Sequence, residues 1–171
     1  MQKIKVPLIK QTKEACGPTA LAMVLKYFDD KKPLQEIIKE VGGIKKFGVR
    51  TISLAKFSKK LGYKVHCYSY NVKLAKGQAK IVKPNKQLIL KFLKKRLPVI
   101  IAVRTFLLNN TKYTRTGHFI VITKYQNGKF CFNDPHTAKE RIINENDLMF
   151  AWYNNVMDSS AYMLVLGPKK R

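Results

Sequence analysis

Acidic residues are scarce in this chain: 10 aspartates and glutamates stand among 171 residues, against 34 lysines and arginines. Cysteine is scarcer still, with Cys16, Cys67 and Cys131 an odd and widely spaced set. Three such cysteines exclude a disulfide framework, and the lack of any C-x-x-C pair argues against a zinc site. His66 and Cys67 are adjacent, and neighbours on a strand point to opposite faces, which suits chelation poorly. No metal and no cofactor are expected. Long apolar runs are missing too: none approaches the ~18 residues needed to span a bilayer, and the longest, Leu97 to Val103, suits a buried strand. The first ten residues break their apolar positions with lysines and Pro7, unlike a signal peptide. No insertion into a membrane is therefore expected, and the chain reads as soluble and cytoplasmic. Repeats, low-complexity tracts and Pro/Gly/Ser linkers are absent, so residues 1–171 read as one domain.

What the chain has in excess is positive charge, +24 formally, with apolar residues at 46%. That apolar share supplies a sizeable core and excludes global disorder. The charge would attract polyanions such as nucleic acid, acidic protein or anionic headgroups. Yet 28 of the 34 basic residues are lysine and only six arginine, whereas bidentate reading of bases and phosphates favours arginine. The lysines are spread along the whole chain, so the charge reads as a solvated surface with non-specific polyanion affinity. No zinc-finger spacing, aromatic RNA-binding motif or helix-turn-helix supports a nucleic-acid-binding protein, which is the alternative resting on charge alone.

The periodicities predict helices first and strands afterwards. Val6 to Lys10 is a short extended segment. From Gly17 to Phe28 apolar residues recur at helical spacing and widen into a nearly all-round apolar surface, so this helix should be central. Pro18 lies near its first turn, where a missing N–H costs little. Residues 34–41 and 49–61 predict two more helices, the second capped by Gly62. A strand over 64–70, a helix over 85–95 and a buried strand over 97–104 follow, then a loop over 105–117. Strands 118–125 and 129–133 flank Asn127-Gly128, a strong hairpin signal. Asn144 can cap a helix through Tyr153, and Tyr162 to Leu166 closes as a strand. This order predicts an α+β protein with a largely antiparallel sheet.

Three residues carry a chemical expectation beyond packing. Cys16, in Glu14-Ala-Cys-Gly-Pro-Thr-Ala20, immediately precedes the apolar helix. The partial positive charge and unpaired N–H groups at a helix start favour thiolate over thiol. His118 opens a strand directly after Gly117, where it can face a cleft. Asp134 follows the partner strand in Asn133-Asp-Pro135, and the hairpin brings it near the level of His118. A carboxylate there would fix the tautomer and orientation of the imidazole, as in other nucleophile–base–orienter sets. A turn-forming role for Asp134-Pro135 competes with that reading. His136 is a rival base, but it follows Asp134 by only two residues. Cys67 and Cys131 lie in apolar strand-like segments and read as small core residues.

The stretches QTKEACGPTALAMVL (Gln11–Leu25), GHFIVITK (Gly117–Lys124) and FNDP (Phe132–Pro135) together resemble the bacteriocin-processing, double-glycine-leader cysteine peptidases and their stand-alone relatives, of papain-like fold. The resemblance implies a thiol hydrolase without cofactor, acting on a peptide or protein substrate, with amidohydrolase and acyltransferase activity as related chemistries. It implies Cys16 as nucleophile, His118 as general base and Asp134 as its orienter. It also implies Gln11 as an oxyanion-hole donor beside the Cys16 backbone N–H. Gln11 stands five residues before Cys16, where the family more often has six, and Ala15 stands where an acidic residue is common. A non-catalytic peptide-binding protein on the same fold is a further alternative, but such proteins would be expected to lose the nucleophile.

Overall fold

The apolar surface of the first helix decides the architecture. In the computed structural model, which describes residues 2–46, 48–114, 116–155 and 161–169, α1 spans Cys16–Tyr27 and buries every residue from Gly17 to Leu25. A helix buried all round must be covered on several sides. Here α2 (Leu34–Glu40), α3 (Thr51–Lys60) and a strand of the sheet pack against it. The chain then turns to strands: β1 (Tyr63–Ser69), a short helix α4 (Val72–Ala75), β2 (Lys80–Ile81), helix α5 (Lys86–Leu93) and β3 (Val99–Arg104). After α6 (Thr105–Asn109) come β4 (Gly117–Gln126), β5 (Lys129–Asp134), β6 (Lys139–Asn144), α7 (Glu145–Tyr153) and β7 (Met163–Lys169).

Among the described residues seven strands form one sheet in the order β2-β1-β7-β3-β4-β5-β6, antiparallel except for the β1–β2 pair. The buried strand expected at 97–104 lies near its middle, between β7 and β4, with every residue of β3 buried. Phe119 of β4 faces the start of α1 and Leu54 of α3. Tyr125 and Phe130 turn the other way, toward the first residues of α5 and α7, where Tyr125 and Lys86 both bond Glu145. Helices α1 and α3 thus cover one face of the sheet, and α5 and α7 the other.

The N-terminal segment runs beside the β4–β5 hairpin as a strap. Ile4 N–H donates to Thr123 O (3.0 Å), and Gln11 N–H donates to Pro135 O (2.9 Å). Between these points the buried Asn133 side chain donates to Val6 O (2.9 Å). Ile4 and Val6 are buried beneath this lacing. The residues on either side of Asp134 are therefore both tied to the segment that leads to Gln11.

Several expectations are corrected. The loop over 105–117 contains α6, whose five residues are too short to show a period; Arg115 within it lies outside the described residues. Strand β6 was not anticipated, nor were α4 and β2. Asn144 precedes α7, but its side chain makes no capping bond; Asn85 does cap α5, accepting from Leu88 N–H at 2.9 Å. Cys67 is buried as expected, whereas Cys131 is only half-buried, because its face of β5 pairs with the exposed Ile142 of the edge strand β6.

Candidate active site

Cys16 is the first residue of α1, and no acidic side chain lies in that helix's first turn to oppose a thiolate. The chain enters through a tight turn closed by Ala15 N–H on Thr12 O (3.2 Å), with Glu14 in the left-handed region at φ 58°. Gly17 follows, and its bare Cα lets the Phe119 ring approach. A Cβ built there would stand 3.2 Å from that ring. This close contact seats the start of α1 against the start of β4, where His118 is found.

The hairpin brings Asp134 to the same place, but not by simple register. Counting back from the Asn127-Gly128 turn, Gln126 pairs Lys129 and Lys124 pairs Cys131, yet Ile122 pairs Phe132. The extra residue, Thr123, is a β-bulge. An unbroken ladder would set Asp134 opposite Val121, and its carboxylate would face away from His118. With the bulge, Val121 pairs Asn133, which carries Asp134 level with Ile120, diagonal to His118 and on its face. The Thr123 hydroxyl donates to Cys131 O (3.3 Å) and the Thr123 carbonyl receives Ile4 N–H, which hold the bulge.

Asp134 Oδ1 is 2.8 Å from His118 Nε2, with both residues buried, at 2% and 8% exposure. The same ring acts on the Cys16 thiol at the start of α1. The carboxylate takes two more donors: His136 backbone N–H on Oδ1 (2.9 Å) and Arg141 on Oδ2 (3.0 Å). Arg141 reaches in from β6, lies over the Phe132 ring and also bonds Asn109 of α6 at 2.7 Å. His136, the rival base, is exposed. Its ring centre lies 6.4 Å from that of His118, and Asp134 holds its backbone instead of its imidazole.

Burial alone would raise the Cys16 thiol. The hydrogen bond and charge of His118, with backbone contacts to Phe119 and Gly17, outweigh it and hold the thiol below its ordinary 9.0. Burial would likewise lower His118, but bonds to Asp134 and Cys16 and their charges raise it to about 9. Burial would raise Asp134, yet His118, Arg141 and the His136 N–H keep it well below the usual carboxylate range. The other two thiols move oppositely: burial pushes Cys67 up to about 11, and burial followed by the charge of Glu140 raises Cys131. Cys16 is thus the one of the three thiols shifted toward the thiolate, beside an imidazole shifted toward the imidazolium.

Gln11 is placed beside this group by its backbone bond to Pro135, and its side-chain Oε1 is buried with no hydrogen-bond partner. Cys16, His118 and Asp134, all singled out from the sequence, come together at one end of β4, and Gln11 is tied to Pro135, next to Asp134 in the chain. Arg141, Asn133 and the Thr123 bulge were missed. Arg141 was hidden because the β5–β6 turn, Pro135-His-Thr-Ala138, lacks the usual Gly or Asn signal; Ala138 takes the left-handed position at φ 54°.

A papain-like α+β peptidase fold accounts for this order of elements, with a helix that begins at a cysteine and a sheet that supplies the histidine. The chain belongs to the peptidase C39-like family, which matches residues 3–159, and is by that membership a cysteine peptidase. Among solved structures, a C39-like peptidase from Bacillus anthracis superposes with a TM-score of 0.73 at 16% identity, covering 100% of both chains. The peptidase domain of Streptococcus ComA, a bifunctional ABC transporter of a quorum-sensing pathway, gives 0.65 at 18%, covering 96% of this chain and 100% of that one. A double-glycine-motif protease from an AMS/PCAT transporter, solved in complex with the leader peptide, gives 0.63 at 20%, covering 97% of this chain and 94% of that one. No curated protein matches the chain. Among the described residues no helix is long and apolar enough to cross a membrane.

Proposed function

We propose that residues 1–171 act as one peptidase domain that cleaves a peptide bond through an acyl-enzyme on Cys16. The observation that carries this reading is the His118 imidazole bonded to Asp134 at 2.8 Å and acting on the Cys16 thiol, which it lowers against the effect of burial. The Cys16 thiolate attacks the scissile carbonyl and forms a C–S bond, driving the carbonyl electrons onto oxygen. The Cys16 backbone N–H and the Gln11 side-chain amide donate to that oxyanion. As the oxyanion collapses, the C–N bond breaks and His118 delivers its proton to the departing amine, leaving a thioester. Water then attacks the thioester while His118 takes one of its protons, and the acid is released with the thiolate restored. Asp134 keeps the imidazole turned toward sulfur throughout. The substrate is an extended peptide. The relative solved with a leader peptide favours that class, and a double-glycine leader is the first sequence to try.

Turnover of peptide or acyl-ester by single variants tests the reading, with thermal melts as the folding control. Cys16→Ala should abolish turnover with the fold intact, and His118→Ala should be nearly as damaging. Asp134→Asn should be milder, because the thiolate–imidazolium pair survives in a less well oriented form. Gln11→Ala should lower kcat by about 10²–10³. The Cys16/His118 double variant should be no worse than either single, since the residues act as a unit. Wild-type activity in Cys16→Ala would end the proposal. An Asp134→Asn protein whose melt collapses along with its activity would assign that residue to the turn instead. The mass of the acyl product separates hydrolysis from transfer to another nucleophile.

A further inference from the structure

Between Glu40 and Asp134 the chain has no acidic residue, and it has 21 lysines and arginines there. The fold collects part of that stretch at one edge of the sheet. After β1 the chain passes through α4 and returns as the edge strand β2. Residues 70–83 form a built unit: Asn71 caps α4 by accepting Leu74 N–H (3.1 Å), and the Tyr162 hydroxyl donates to Leu74 O (3.2 Å). Within it Tyr70 (48%), Val72 (67%), Leu74 (37%) and Ile81 (41%) are exposed. Exposed Lys73, Lys76, Lys80 and Lys83 lie among them. None of these four lysines has an ion-pair partner among the described residues, whereas Lys3, Lys32, Lys60, Lys86 and Lys169 each hold a carboxylate.

We propose that this edge docks on an anionic lipid bilayer surface, with the four lysines among the headgroups and the four apolar side chains at the acyl boundary. Lysines interleaved with exposed aliphatic groups match both layers of such a surface, and tyrosine suits the level between them. Nucleic acid is matched less well. Its phosphates and bases favour arginine forks and stacking rings, but no arginine occurs between Arg50 and Arg96, and three of the four apolar groups are aliphatic. The placement is also workable. The edge strand β2 is separated from the His118 strand β4 by β1, β7 and β3, so a docked molecule keeps the Cys16 end clear. The inference stands without the peptidase reading, because binding is measured without substrate.

The test is flotation of the full chain with phosphatidylcholine vesicles, either plain or with about one third phosphatidylserine, at about 0.15 M salt. Wild type should float only with the anionic vesicles. Replacing Lys73, Lys76, Lys80 and Lys83 together by Gln should weaken partitioning about a thousandfold. The same change at Lys5, Lys112, Lys129 and Lys139, remote from this edge, should weaken it about threefold or less. Val72→Ser with Ile81→Ser should remove the binding that survives at high salt. All these side chains are exposed, so melts should be unchanged. No preference for anionic vesicles, equal loss from the two lysine sets, or undiminished binding by the serine variant would overturn the proposal. So would a loss by the first lysine set that appears with duplex DNA and not with vesicles.

Discussion

At the scale of single residues, the site depends on how one buried carboxylate divides its bonds. Asp134 gives Oδ1 to His118 and Oδ2 to Arg141, so the guanidinium both orients the carboxylate and offsets part of its charge. Arg141→Met removes that cation. The full charge of Asp134 then acts on the imidazolium, and His118, already raised to about 9, should rise further. The alkaline limb of kcat/KM should therefore move to higher pH, while its plateau falls about ten- to a hundredfold through lost orientation. Arg141→Lys should restore most of the limb position and less of the plateau, because lysine returns the charge without the planar fork. A limb that stays in place, with only a lowered melt, would reduce Arg141 to a structural role. The placement of Cys16, His118 and Asp134 was legible because each carries a local mark: a helix start, a Gly-His strand start and an Asn-Asp-Pro strand end. Arg141 carries none. It becomes visible only once β6 is paired with β5, which places it opposite Phe132.

At the scale of elements, the join between α1 and β4 controls the distance from sulfur to imidazole. Gly17 allows that join, since a Cβ there already meets the Phe119 ring at 3.2 Å and Leu54 at 3.4 Å. Gly17→Val should cost about 1–3 kcal/mol of stability by overpacking. It should also lower kcat more than it changes KM, because the displaced Phe119 adjoins His118; denaturant melts and steady-state kinetics read the two effects separately. A variant with wild-type kcat and a lowered melting temperature would show the join to be packing alone. Helices α1, α2, α3, α5 and α7 and the central strands were legible from apolar period and length. The Thr123 bulge was not, because it is one inserted residue whose position is decided by partners far off in sequence, Ile4 above all. Strand β6 escaped for a different reason: as an edge strand exposed at Lys139, Glu140, Ile142 and Asn144, it has no buried face to leave an alternating apolar pattern.

At the scale of the whole molecule, a net charge of +24 surrounds a site for which a separate, buried thiolate–imidazolium pair is proposed. The dispersed lysines should give sequence-independent affinity for polyanions, falling with a log–log salt slope of about −0.9 per phosphate contacted. A tight preference for one nucleic-acid sequence at physiological salt would instead favour a nucleic-acid function. The α+β class was legible from the order of helices and strands, and the sheet order was not, because β7 enters between β1 and β3 from the far end of the chain. The central claim is that only one of three cysteines is a thiolate paired with His118. The direct measurement is the alkylation rate of each cysteine by iodoacetamide across pH, resolved by peptide mass. The Cys16 thiol lies below its ordinary 9.0 and its imidazolium partner persists to about 9. The account therefore predicts that Cys16 is modified at lower pH than an ordinary thiol and than either other cysteine. Cys67, pushed up to about 11, and Cys131, also raised, should react only at higher pH. In His118→Ala the Cys16 curve should move up toward that of an ordinary thiol. Equal reactivity of the three cysteines, or a Cys16 curve unmoved by His118→Ala, would contradict the account.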